Sequence, residues 1–433
     1  MDPSHHQPHR IVIVGGGSGG LKLATRLGHR YRRDPGVRVT LVDAALTHVW
    51  KPLFHEVAAG TLDVHDDECD YIAHARAHHF TFVWGAMEGL DRERRCIRLG
   101  APGGDADDGR ELAYDTLVLA VGSVSNDFGV PGVAEHCFTL DSADEAESFR
   151  RKLFEAYLRS GHERPSSPGA LDVAIVGAGA TGVELAAELD KMRHALADYG
   201  ACAIDPATDT RLILLERAPR LLPGLAEELA AATQTQLERL GVQTHLGEAV
   251  AEVTAEGIRT GGGEFIPARF KVWAAGVAAP AFLHELDGLE TGARNQVVVD
   301  RTLQSTRDPN IFALGDCAAC PSGSDGLVPP RAQAADQQAG FLARALPRHL
   351  AGKPLPEYTY RDRGALVNVH DSAFGTIMGS LLGRVTIEGW FARVSYRWLY
   401  RAHQRAVHGP LRALMMLLSD LVSRRTRPRL KLH

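Results

Sequence analysis

One short pattern occurs twice in this chain and limits what it can fold into. The first copy is Gly15-Gly16-Gly17-Ser18-Gly19-Gly20, and the second is Gly177-Ala178-Gly179-Ala180-Thr181-Gly182. Each follows a short apolar run (Ile11–Val14; Val173–Val176) and opens a segment that reads as a helix. In a strand–turn–helix setting, G-x-G-x-x-G is a dinucleotide fingerprint. The first glycine makes the tight turn, the second lets a pyrophosphate approach the backbone, and the third lets helix and strand pack closely. Unpaired N–H groups at the helix N-terminus then hold the phosphate charge. An acid ending the next strand is expected to bind a ribose hydroxyl. Asp43, 23 residues after Gly20, and Glu216, 34 residues after Gly182, stand at those ends. The longer second interval predicts an insertion between Asp198 and Asp209. Two glycine-rich turns without ligands would not need strand, helix and acid to recur together.

The fold class expected is α/β, with two doubly wound Rossmann-type domains. Ile11–Val14, Val37–Val42, Phe82–Trp84, Cys96–Leu99 and Thr116–Val121 read as strands of the first unit. Val173–Val176, Arg211–Leu215, Val242–Leu246 and Lys271–Ala275 read as strands of the second. An apolar strand at Ile311–Ala313 then runs into Gly315-Asp316, where Asp316 would reach a second phosphate or a ribitol hydroxyl. The first domain is therefore expected to be discontinuous, residues 10–140 and 291–345, with a second domain, residues 141–290, inserted in it. A site completed by Gly15, Gly17, Gly20, Asp43, Gly315 and Asp316 draws on two distant segments and suits a permanently held FAD. The compact inserted unit, with Gly177, Gly179, Gly182 and Glu216, suits a nicotinamide nucleotide that comes and goes. The carboxylate of Glu216 favours NADH over NADPH, because it would repel a 2′-phosphate, although Arg217 beside it would weaken that preference.

With 433 residues, 23 % of them charged and 45 % hydrophobic, the chain is long enough for two or three domains of ordinary globular composition. Its six cysteines are scattered, which suits a reducing compartment better than a disulfide scaffold. The polar segment Met1–Arg10 does not read as a signal peptide. No uninterrupted apolar stretch reaches the roughly 18 residues of a conventional membrane span. The net charge of −5 is unevenly spread: 384–433 carries 11 Lys and Arg against Glu388 and Asp420. A basic tail on an acidic body points to an anionic surface as its partner. Nothing points to nucleic acid.

These residues resemble those of the bacterial type II NADH:quinone oxidoreductases, single-subunit flavoenzymes of respiratory membranes that pump no protons. The likeness runs from about Arg10 to His433. It is carried most specifically by the segment His48-Val49-Trp50-Lys51-Pro52-Leu53-Phe54-His55-Glu56-Val57-Ala58-Ala59-Gly60, by Val328–Gln337, and by the ending Arg427–His433. The second fingerprint through Glu184 and Gly315-Asp316-Cys317-Ala318 also match, but are shared by many two-dinucleotide flavoproteins. The resemblance implies FAD at the first site and NADH at the second. Hydride would pass from NADH to the flavin and electrons on to a membrane quinone, with no nucleophile or triad required. It also implies a homodimer, peripheral on the cytoplasmic face of the bacterial inner membrane.

Four residues are candidates for the chemistry. Gln333 and Gln337 are four apart, hence on one helical face, and in the family this segment lines the quinone pocket. The alternative is a polar face in water. Relatives often carry His or an apolar residue where this chain has Asp336, which faces either the pocket or solvent. Glu184 is either a first-turn acid favoured by the helix dipole or, as the family implies, a group near nicotinamide and flavin that orients NADH or relays quinone protons. Lys51 is either a surface lysine or a cation that stabilises an anionic reduced flavin and helps bind it. His48 and His55 flank Lys51 without an assignable role. Cys317-x-x-Cys320 is a weak candidate for a redox dithiol, and no second C-x-x-C exists for a structural zinc. No metal site is expected.

The C-terminal region, residues 346–433, is expected to be amphipathic, helical and membrane-anchoring. Trp390, Phe391, Val394 and Trp398 share a helical side next to Arg393, Arg397, Arg401 and Arg405. After His408-Gly409-Pro410, an apolar face recurs at Leu411, Leu414, Met415, Leu418, Leu421 and Val422. Apolar faces with Trp and flanking Arg suit helices lying in an anionic bilayer interface; a dimer contact or packing on the body is the other use of such faces. The competing functions are a soluble NADH-dependent reductase or oxidase, acting on oxygen or a small redox protein, and an NADH-sensing flavoprotein without turnover. A sulfide:quinone oxidoreductase would need redox-active cysteines in both halves, and no convincing set is present.

Overall fold

The computed structural model describes residues 7–64, 68–101, 109–160, 169–200, 205, 206, 208–323, 326–370, 372–379 and 383–388, and, beyond these, 409, 414, 415, 417, 430 and 431. The principal elements, in chain order, are β1 (His9–Val14), α1 (Ser18–Tyr31), β2 (Val37–Asp43), α2 (Phe54–Ala59), β3 (Thr81–Trp84), β4 (Thr116–Leu119) and α3 (Ala143–Arg159). They continue as β5 (Val173–Val176), α4 (Ala180–Asp198), β6 (Leu212–Glu216), β7 (Val242–Leu246), β8 (Phe270–Trp273), β9 (Ile311–Ala313), α5 (Ala332–Leu350), β10 (Gly364–Val369), β11 (Ser372–Gly379) and β12 (Gly383–Glu388). The chain divides into two compact units. The first is Met1–Trp50, Glu68–Val124 and Val277–Asp362; the second is Lys51–Asp67, Ser125–Gly276 and Arg363–His433.

The first unit is built on a five-stranded parallel sheet in the order β9-β4-β1-β2-β3. Ile11, Ile13, Leu41 and Leu117 are wholly buried. Parallel strands are covered on both faces, which is why β1 reads as an unbroken apolar run. The late strand β9 takes its place beside β4, with Ile311 opposite Leu117. Cys96–Gly100 is a strand, but it belongs to a separate antiparallel sheet with Ala86–Asp91 and Arg110–Ala113, not to the doubly wound sheet that the sequence predicts for it. Arg98, exposed between the buried Ile97 and Leu99, marks a strand with one solvated face.

The second unit repeats the plan with four parallel strands, β7-β6-β5-β8. Ala174, Val176, Ile213 and Leu215 pack with Val253, Ile258 and Ile266 of a small antiparallel sheet in one buried cluster. This unit also contains α2, α3 and an antiparallel meander, β10-β11-β12. The sequence reading assigns no strands to 364–388, so the meander is an addition to the helical region expected there. The predicted helices at 390–408 and most of that at 411–422 lie outside the described residues. Leu414, Met415 and Leu417 are helical and exposed. Among the described residues no helix is long and apolar enough to cross a membrane.

Candidate active site

The two glycine turns are built alike. Gly15 and Gly177 have φ of 101° and 104°, the left-handed region that favours glycine, and an added Cβ would run into the Ala120 and Ala274 carbonyls. At Gly20 and Gly182 a Cβ would strike the carbonyl of Gly15 or Gly177, so those positions hold helix against turn. The middle glycines, Gly17 and Gly179, are different: a Cβ there would meet nothing within 4 Å. Packing within the protein does not require glycine at these two helix starts, whereas a phosphate approaching the backbone does. Neither α1 nor α4 has an acidic residue in its first turn or a side-chain cap. Their N–H groups remain suited to an anion.

The strand-end acids clamp the turns in the same way. Asp43 accepts hydrogen bonds from the N–H of Gly16 (2.5 Å) and of Ala45 (2.8 Å). Glu216 accepts from the N–H of Ala178 (2.8 Å) and of Ala218 (2.9 Å). Burial pushes the Asp43 carboxyl upward, against the opposing pull of its backbone N–H donors. Carboxylates fixed in this way beside glycine turns fit ribose hydroxyls, and the residues present fit a dinucleotide at each turn.

In the first unit the Gly315 N–H donates to Gln338 (2.7 Å), the Ser123 hydroxyl donates to the Asp316 carboxylate (2.8 Å), and the Gln296 amide donates to the Asp316 carbonyl (2.7 Å). Asp316 lines a small cleft with Ser123, Ala279, Arg294 and Gln296. The Tyr71 hydroxyl donates to the Gly16 carbonyl (2.8 Å) and braces the first turn. Ser123, Gln296, Gln338 and Tyr71 carry no recognisable motif; only their long-range contacts reveal them.

On α5, Gln337 pairs with the Arg361 backbone through both ends of its amide (2.8 and 3.1 Å), and Gln333 donates to Asp362 (3.1 Å), which also pairs with Arg331. Both amides are therefore engaged with one stretch of chain. Asp336 faces neither a pocket nor open solvent alone. It pairs with the buried ammonium of Lys22, which also donates to the Asp336 carbonyl (3.1 Å).

In the second unit Lys51 pairs with Asp141 at 3.1 Å, and Asp141 also accepts from the N–H of Ser125. Glu184 is not a first-turn acid: α4 starts at Ala180, which puts Glu184 in the second turn, facing inward. It accepts from the N–H of Asn368 on β10 (3.0 Å), and burial raises its carboxyl to about 8. One helical turn on, buried Glu188 accepts from Thr61 (2.8 Å) and pairs with Lys191 (2.5 Å). His55 lies beside Glu184, and burial lowers its imidazole to about 4.

Cys317 and Cys320 are free and buried, and burial pushes both thiols up to about 11. Thiols held protonated at neutral pH are poor redox nucleophiles. Among the described residues, no group of three or more His, Cys, Asp or Glu is arranged to hold a metal ion.

Two parallel-sheet units with acid-clamped glycine turns define a pyridine-nucleotide flavoprotein. Residues 9–339 match the family model described as pyridine nucleotide-disulphide oxidoreductase. The chain is 41 % identical to the type II NADH:quinone oxidoreductase of Haemophilus influenzae, over 98 % of this chain and 99 % of that one. It is 29 % identical to the type II NADH:quinone oxidoreductase of Mycobacterium tuberculosis, over 93 % and 86 % of the two chains. In fold it is similar to NDH2 from Plasmodium falciparum in complex with NADH, with a TM-score of 0.82 at 17 % identity, covering 98 % and 100 % of the two chains. This chain belongs to the family of type II NADH:quinone oxidoreductases.

Proposed function

We propose that this protein oxidises NADH and reduces a membrane quinone by way of bound FAD, without moving protons across the membrane. The observation that carries this reading is the duplicated glycine turn with its clamping acid, in a chain that matches the Haemophilus enzyme almost end to end. Gly15, Gly17, Gly20, Asp43, Gly315 and Asp316 hold FAD, and Gly177, Gly179, Gly182 and Glu216 hold NADH. Residues 10–140 and 291–345 form the FAD domain, 141–290 the NADH domain and 346–433 the membrane region. When bound, FAD supplies two-electron chemistry that no side chain offers.

The remaining roles fall to the protein. Lys51, oriented by Asp141, contributes a positive charge towards the reduced flavin. Gln333 donates to a quinone carbonyl, and Gln337 fixes the adjoining wall by gripping Arg361. Glu184, neutral at pH 7 because it is buried, carries a proton for the quinone. Reduction of quinone by NADH consumes one proton beyond the hydride, and that proton must come from solvent.

The basic C-terminal helices lie on the cytoplasmic surface of an anionic bilayer, and a homodimer forms through the same region. Exposed Leu414, Met415 and Leu417 support an apolar surface there. The test is anaerobic turnover on liposomes of anionic and of neutral lipid, with quinol and NAD⁺ quantified together. One quinol per NADH, and binding to anionic liposomes that is lost on deleting residues 390–433, is the expected result. NADH consumption that needs oxygen or a protein acceptor would point instead to a soluble oxidase or reductase.

A further inference from the structure

The residue between the first two glycines of each turn, Gly16 or Ala178, is held at both ends. Its N–H is taken by the strand-end acid, Asp43 or Glu216. Its carbonyl is taken as well, and by unlike donors. The buried Tyr71 hydroxyl donates to the Gly16 carbonyl (2.8 Å), whereas the Leu222 N–H donates to the Ala178 carbonyl (2.9 Å). The peptide that follows is trans in both turns, so the N–H of Gly17 or Gly179 points away from the anchored carbonyl. A carbonyl fixed on one side thereby fixes a donor on the other. That donor stands at a helix start, where the first N–H groups have no partner within the helix.

The two anchors are built differently. Tyr71 stacks on Phe82, with ring centroids 5.1 Å apart, and burial beside Asp43 pushes its phenol upward, which keeps the hydroxyl a donor. A Cβ on Gly16 would strike that hydroxyl, whereas Ala178, met by a backbone N–H, carries one. Tyr71 is thus the reason that the first turn needs glycine at this position. Leu222 is buried in the left-handed conformation (φ 47°), a strain that persists only where the surroundings enforce it. Arg220 enforces it: its guanidinium donates to the carbonyls of Pro223 (2.8 Å), Leu225 (3.1 Å) and Leu222 (3.4 Å).

We propose that Tyr71 and Arg220 are positioning residues that each aim one backbone N–H at a nucleotide pyrophosphate. Tyr71 sets the Gly17 N–H for FAD; Arg220, through Leu222, sets the Gly179 N–H for NADH. This takes the first turn as the FAD site and the second as the NADH site, as proposed above. Each side chain acts through a carbonyl on the protein side of the turn. The anchors share no atom, so loosening one leaves the other nucleotide's turn as it was.

The test compares Tyr71→Phe and Arg220→Met in the full-length, FAD-loaded protein. Tyr71→Phe keeps the ring on Phe82 and loses only the hydroxyl. It should release FAD about tenfold faster, followed by flavin fluorescence on dilution, while the Kd for NAD⁺ measured by calorimetry stays at the wild-type value. The ³¹P signals of its bound FAD should move while the flavin absorbance spectrum does not, a signature that a general loosening of the fold would not give. Arg220→Met should raise the Kd for NAD⁺ about tenfold, with FAD release and the ³¹P signals unchanged. If Tyr71→Phe does not fold, Gly16→Ala, whose Cβ displaces the same hydroxyl, replaces it with the same expectation. Equal losses of both nucleotides in either variant, or no loss, would overturn the proposal. Gly17→Val and Gly179→Val check the site assignment separately: the first should abolish FAD binding and the second NAD⁺ binding. Retention of either nucleotide would overturn the assignment of the turns on which the anchors depend.

Discussion

Lys22 and Asp336 form an ion pair that ties the first glycine-turn helix, α1, to α5. The ammonium is almost wholly buried and the carboxylate is 39 % exposed. The pairing gives Asp336 a structural use: it neutralises a lysine that the fold buries. Removing one partner of such a pair costs more than removing both, because the survivor keeps its desolvation penalty. Asp336→Ala should therefore destabilise the protein by about 2 kcal/mol, and Lys22→Met with Asp336→Ala by less. Chemical denaturation of the three variants measures this. The quinone KM should not move in Asp336→Ala; a severalfold rise would place its charge in the substrate site.

Glu216 accepts from the Ala178 and Ala218 N–H groups, which fixes its carboxylate beside the second glycine turn, the proposed NADH site. Glu216→Gln keeps the shape and removes the charge. The ratio of kcat/KM for NADH over NADPH should fall by about tenfold, the worth of roughly one charge-assisted hydrogen bond. An unchanged ratio would remove Glu216 from the nucleotide site.

Burial shifts Glu184 and His55 in opposite directions, and stability should follow both. The native state holds the Glu184 proton more tightly than the unfolded chain does. That contribution is complete below pH 4.5 and is lost as pH rises towards about 8. His55 resists protonation when folded, so its contribution is complete above pH 6.5 and is lost as pH falls towards about 4. Glu184→Gln should gain on the wild type between pH 5 and 8, and His55→Gln should gain on it between pH 6.5 and 4. Thermal unfolding across this range checks both, and parallel curves would contradict the burial assigned to these groups.

Gln337 and Gln333 differ in what they grip, and their variants should differ too. Gln337→Ala loses two bonds to the Arg361 backbone and should lower stability by about 1–2 kcal/mol as well as raise the quinone KM. Gln333→Ala should raise the quinone KM about tenfold with little loss of stability. Steady-state kinetics beside thermal unfolding separates the two; equal effects on both measures would dissolve the distinction.

What the sequence makes legible is what local backbone chemistry dictates. The glycine turns, the acids at the strand ends and the late return of Ile311–Ala313 all rest on spacing within a few tens of residues or on unbroken apolar runs. The one-sided strand Cys96–Gly100 reads from sequence as part of a doubly wound sheet because a short apolar run does not say which neighbours it will pair with. The meander from Gly364 to Glu388 was hidden by the basic amphipathic signal that follows it. Ser123 at Asp316, Asn368 at Glu184, Lys22 at Asp336 and Asp141 at Lys51 are separated by 90 residues or more. No periodicity links such pairs, and only the fold brings them together. Glu184 is legible by motif, but its place in the second turn and its burial are not readable from a helix start.

Electrons from NADH leave this protein to a quinone. Purified protein in detergent, mixed anaerobically with NADH and then with a short-chain quinone, tests it by flavin absorbance near about 450 nm. Fast bleaching by NADH and fast recovery on adding quinone are expected, with the recovery rate saturating in quinone. Bleaching that only oxygen or a protein acceptor reverses would contradict it.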